Sequence, residues 1–109
     1  MKLENIGEII AIRKLKFVID GRQDLVEVAM GKPQQSVDGT DFYCPYHIKG
    51  GGKDKVMAIF GIDALQGMQL ALKTIGVELA TINRDSGGRL LLDGDETGQL
   101  DFSVPDWSD

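Results

Sequence analysis

Apolar residues first alternate with polar ones along this chain, then recur at every third or fourth position, then alternate again. A period of two marks a strand with one buried face, and a period near 3.6 marks an amphipathic helix. From Leu3 to Asp20 the residues Ile6, Ile10, Ile12 and Val18 fall on one parity, and Ile9, Ala11, Leu15, Phe17 and Ile19 on the other. Arg13, Lys14 and Lys16 keep the middle polar, so the pattern predicts a long, bent strand covered on one face and partly on the second. Asp20-Gly21-Arg22 reads as a hairpin turn. Leu25, Val26, Val28 and Met30 then predict a second strand, ended by Gly31-Lys32-Pro33. Gln34 to Thr40 is polar and reads as loop.

Asp41 to Lys49 predicts a third strand with Phe42, Cys44, Tyr46 and Ile48 turned inward. Pro45 lacks an N–H for a ladder, which argues for an edge strand or a bulge. Gly50-Gly51-Gly52 leads to a fourth strand, Lys55 to Phe60. Asp63 is placed as a helix N-cap with Gln66 as its capping-box partner. Leu65, Met68, Leu72, Ile75, Leu79 and Ile82 follow as one apolar stripe, widened by Ala64 and Ala71, with Glu78 and Lys73 among the polar positions off it. Gly67 and Gly76 each cost about 1 kcal/mol in a helix relative to alanine, which points to close approach of helix to sheet. The helix is expected to end near Asn83. Arg89–Leu92 and Leu100–Val104 read as short strands around an Asp93–Gly98 turn. The sum is one α+β domain, residues 1–109: a mainly antiparallel sheet of five to six strands with one long helix packed on one face.

Composition narrows the functional classes. At 109 residues and 42% hydrophobic content the chain can build one core without disulfides or metals. The single cysteine fits a reducing cytoplasm, and no apolar run reaches the length of a membrane span. The net charge is −5. Residues 1–82 carry ten acidic and ten basic side chains, while residues 83–109 carry seven acidic against two basic, so the imbalance lies wholly in the last quarter. An acidic surface repels nucleic acid and anionic lipid and attracts a basic protein.

No motif commits the chain to catalysis. Cys44 and His47 could pair as a thiolate and its base, but in a strand positions i and i+3 point to opposite faces, and no second Cys or His completes a zinc site. Lys49-Gly-Gly-Gly-Lys53-Asp-Lys55 lacks the phosphate-loop spacing and precedes a strand rather than a helix. Asp93-Gly-Asp95-Glu-Thr97-Gly98 begins like a calcium loop, but Val104 stands where the bidentate glutamate is required. No cofactor or metal is expected.

Phe42-Tyr-Cys-Pro-Tyr-His-Ile48, the helix Gly61-Ile-Asp-Ala-Leu-Gln-Gly-Met-Gln-Leu-Ala-Leu72 with Ile75-Gly76, and Gly87-Gly88-Arg89-Leu90 resemble a family of small bacterial proteins of unknown function. That family is similar to the orphan proteins encoded beside polymorphic toxins, including immunity proteins of contact-dependent growth inhibition systems. The resemblance implies a non-enzymatic, cytoplasmic inhibitor, a monomer or weak homo-oligomer, that binds one toxin domain and neither nucleic acid nor membrane. Many such toxins are basic nucleases, so the expected partner-binding residues are Asp93, Asp95, Glu96, Asp101 and Asp106, with Trp107 as an apolar anchor. The alternative reading is an accessory module that self-associates through the Pro45 strand.

Overall fold

A computed structural model describes residues 5–86 and 89–92, the backbone alone at 85, 86, 89, 91 and 92. The chain runs β1 (Ile9–Ile19), β2 (Arg22–Gly31), β3 (Gln34–Gln35), β4 (Phe42–Gly50), β5 (Lys53–Gly61), α1 (Ala64–Ser86) and β6 (Arg89–Leu92). The strands form one antiparallel sheet, and the helix packs across one face of it. This is the expected α+β architecture.

Two tight turns set the registers. Ile19 pairs with Arg22 across Asp20 and Gly21, whose φ values are 50° and 76°. Gly50 pairs with Lys53 across Gly51 and Gly52, at 61° and 83°. Two successive positive φ angles are what a two-residue hairpin needs to match the right-handed twist of its strands. The β1–β2 ladder slips by one residue between Ile9 and Ala11. That bulge reverses the facing of β1, which is why both parities of its first half look apolar. Beyond the bulge Leu15 and Phe17 face the core, while Ile9, Ile10 and Ile12 are exposed.

Pro45 does not lie on an edge. β4 is an inner strand, paired with β5 along its whole length and shared on its other side between β2 (Tyr46–Lys49) and β3 (Phe42–Tyr43). The proline falls in the gap between those two partners, opposite the Gly31–Pro33 bend, so the interruption is carried by the neighbouring chain. Gly31 has a steric reason to be glycine, since a Cβ there would meet the Ile6 carbonyl and Pro45 Cγ. Gln34 and Gln35, expected as loop, form the two-residue β3. Strand structure begins at Ile9, because Gly7 takes a left-handed φ of 69° and its N–H is held by Asn5 Oδ1 at 3.0 Å.

The core lies between the helix and the inner sheet face. Leu15 and Phe17 of β1, Val26, Val28 and Met30 of β2, Cys44, Tyr46 and Ile48 of β4, and Leu90 of β6 meet Ala71, Ile75, Leu79 and Ile82 of α1. The stripe is rotated from the expected one at its N-terminal half. Leu65 and Leu72 are exposed, while Ala71, expected to widen the stripe, and Gly67, expected at a close approach, face the sheet. The cause is the short distance between layers. A Cβ on Gly61 would stand 2.5 Å from the Gly67 amide nitrogen, so this end of the helix admits only small residues. Asp63 caps the helix as expected, accepting from Gln66 N–H at 2.8 Å, and Gln66 Oε1 accepts from Ile62 N–H. The helix runs three residues beyond Asn83, whose Oδ1 accepts the Leu90 amide of β6 at 2.6 Å.

Candidate functional site

Side chains alternate across the sheet, so each chemical group has one of two fates. On the inner face, Cys44 is wholly buried, with Sγ 3.9 Å from the Gly31 carbonyl oxygen. Burial pushes its thiol up to about 11, the direction that disfavours a thiolate nucleophile. His47 lies on the outer face, where Nε2 meets Asp54 Oδ1 at 2.6 Å. That hydrogen bond holds the Asp54 carboxyl below the usual range. The two residues of the Cys-Pro-Tyr-His segment are therefore kept apart, as their spacing implied.

The polar centre of the described structure lies elsewhere, where the helix meets β4 and β5. Glu78 Oε1 accepts from Lys55 Nζ at 2.7 Å and lies 3.6 Å from Lys53 Nζ. Its Oε2 accepts the Tyr46 hydroxyl at 2.5 Å. The Glu78 side chain is only 12% exposed. Burial alone would raise its pKa, but the hydrogen bonds from Lys55 and Tyr46 and the charges of Lys55 and Lys53 outweigh it and hold the carboxyl below the usual range. The Tyr46 hydroxyl is pushed up by burial and by the adjacent carboxylate, so it stays protonated and donates. Every group of this cluster has a partner within it. It ties α1 to the sheet.

Glu78 was expected off the packed stripe and instead sits on it. The signal lay in the partners: Lys53 and Lys55 share the inward parity of Met57 and Ile59, and two lysines on a covered face call for an acid opposite. The basic glycine segment around Gly51 resolves accordingly. Its backbone makes the β4–β5 turn, and two of its lysines serve Glu78.

The outer face carries a different pattern, generated by register. Lys14, Glu27, Lys49 and Asp54 lie side by side on β1, β2, β4 and β5, so charge alternates across four strands. The adjacent row is Ile12, Ala29, His47 and Val56. Ile12 is 52% exposed, and Leu25 lies open on the other side of the charged row. A second apolar group, Phe60, Ile62 and Leu65, is exposed where β5 leads into the helix, with Tyr43 tilted against Phe60 at a ring separation of 6.0 Å.

The acidic residues Asp93, Asp95, Glu96, Asp101 and Asp106, Trp107, the calcium-like segment and the strand expected at Leu100–Val104 lie outside the described residues. Among the described residues, no group of three His, Cys, Asp or Glu side chains is arranged to hold a metal, and no helix is long and apolar enough to cross a membrane.

These features define an α+β domain of one antiparallel sheet and one helix, with its internal polar cluster saturated and its outer sheet face patterned in charge. The chain belongs to the DUF6968 family, a domain of unknown function, whose sequence pattern covers residues 11–104. No curated protein and no solved structure matches it.

Proposed function

We propose that this protein is an immunity protein: a non-enzymatic inhibitor that binds and neutralises one cognate bacterial toxin domain in the cytoplasm. The observation that carries the reading is the charge asymmetry, with a neutral body through residue 82 and seven acidic against two basic residues after it. A basic nuclease must present cations to phosphate, and an acidic segment is electrostatically complementary to such a surface. The internal chemistry is consistent with a binding role. Cys44 is buried and held as the thiol, and Glu78, Tyr46 and Lys55 satisfy one another. Asp93, Asp95, Glu96, Asp101 and Asp106 are the proposed charged contacts, and Trp107 the proposed apolar anchor.

The test is capture of the tagged protein from its host at low and moderate salt, followed by mass spectrometry. The expected result is one stoichiometric toxin fragment, released more readily as salt rises. Reversing the charge at the five acidic positions should then abolish capture. A toxin retained by the reversed variant with unchanged salt dependence removes the acidic segment from the interface. Recovery of no toxin under either condition removes the function.

A further inference from the structure

The outer sheet face is antisymmetric in charge, and an antisymmetric row is complementary to itself. Across β1, β2, β4 and β5 the row reads Lys14 positive, Glu27 negative, Lys49 positive, Asp54 negative. Consider a two-fold axis running parallel to the strands in the plane of a face-to-face contact, between β2 and β4. It sets β1 of one copy over β5 of the other, and β2 over β4. Lys14 then faces Asp54 of the second copy, and Glu27 faces Lys49. All four facing pairs are opposite in sign. The same operation lays Ile12 over Val56 at the two ends of the adjacent row, apolar on apolar, and Ala29 over His47 between them. A one-strand shift in either direction sets like charges face to face.

We propose that this face is the interface of a two-fold symmetric homodimer, with the charged row fixing the alignment and Ile12 and Val56 supplying apolar burial beside it. The occupant is a second copy of this chain because the row matches its own reversal, which an unrelated partner has no need to satisfy. Sheets packed face to face in natural proteins hold their strands within about 30° of each other at about 10 Å separation. Lysine and glutamate side chains span that distance when they meet from both sides. Four strands at about 4.8 Å make a face about 20 Å wide, at the small end of interfaces, so association should be reversible and concentration-dependent. The inference stands apart from the toxin-binding reading, since it uses none of the same residues.

Sedimentation equilibrium of the full chain, up to about 1 mM, reads the result directly. The wild type is expected to pass from monomer to dimer. Lys49→Glu and Glu27→Lys should each weaken self-association at least about tenfold, because each sets like charges face to face at two places in the homodimer. Mixed together, the two variants restore every facing pair, and a heterodimer should form in which neither parent dimerises alone. Ile12→Lys, at an exposed position, should abolish the dimer with the monomer's melting curve retained. A wild type that stays monomeric throughout overturns the proposal and leaves the row as cross-strand pairing on a solvated face. A dimer indifferent to these substitutions, or a mixture that fails to associate, overturns it equally.

Discussion

Glu78 is the residue on which the two layers are pinned. It draws one hydroxyl and two ammonium groups from two strands onto a single carboxylate with 12% exposure. Removing the charge weakens two ion pairs and leaves one carboxyl oxygen's donors, the buried Tyr46 hydroxyl among them, short of an acceptor, and such a loss costs about 1–3 kcal/mol. Glu78→Gln, measured by urea unfolding at neutral pH, is expected to fall in that range. The carboxyl is held below its unfolded value, so its stabilisation is complete above about pH 4.5, the unfolded value, and fades as pH falls through the folded one. The wild type should therefore lose stability on acidification in this region, and the Gln variant should lose less. Sequence reading gave every inward residue of β4 except the depth of Phe42, which is only half-buried. It missed Glu78 because a helical period alone does not reveal that the neighbouring strand presents lysines on its covered parity.

At the scale of the element, the helix and its glycines show where periodicity stops being informative. The six-residue stripe from Leu65 to Ile82 obeys ideal spacing, yet Leu65 and Leu72 are exposed, while Ala71 on its flank is buried as expected. Spacing defines a face, whereas the distance to the opposing layer decides which flank of it can approach. That distance is set at Gly61, which the sequence reading placed just past the fourth strand without a packing role. A methyl group at Gly67 would find Cys44 Cβ at 3.6 Å and the Ile59 carbonyl at 3.8 Å, which is ordinary contact. The same group at Gly61 would meet the backbone of Gly67 and Gln66 at 2.5 and 3.0 Å. Gly67→Ala should accordingly raise stability by up to about 1 kcal/mol through helix propensity. Gly61→Ala should lower it by about 1–3 kcal/mol, because backbone must move. Thermal melts of the two variants should shift in opposite directions. The β1–β2 turn was legible because Asp-Gly has few alternatives, whereas Gly50–Asp54, read as a connection, holds a two-residue turn with Lys53 and Asp54 already in β5. The inner location of β4 was not legible, since Pro45 argues for an edge unless the bend opposite it is known.

Across the whole molecule, two hairpins with two-residue turns are joined side by side, among the described residues, by the ladder of Glu27–Met30 with Tyr46–Lys49 and by the helix that covers both. Each hairpin closes locally, on a timescale of microseconds. The join between β2 and β4 must instead close the segment from Gly31 to Asp41, which orders itself through Asp38, whose Oδ1 accepts from Ser36 Oγ, Thr40 N–H and Thr40 Oγ1. Docking of the two hairpins is expected to limit the folding rate, with the connecting segment as its tether. Doubling the tether's length with flexible residues at Gly39 adds about 0.6 kcal/mol of closure entropy. Stopped-flow refolding should slow by about threefold from that term, while unfolding, which begins from a seam already formed, keeps its rate. A kinetic clock of the protein is thereby written in an exposed loop, outside the core that makes the fold stable.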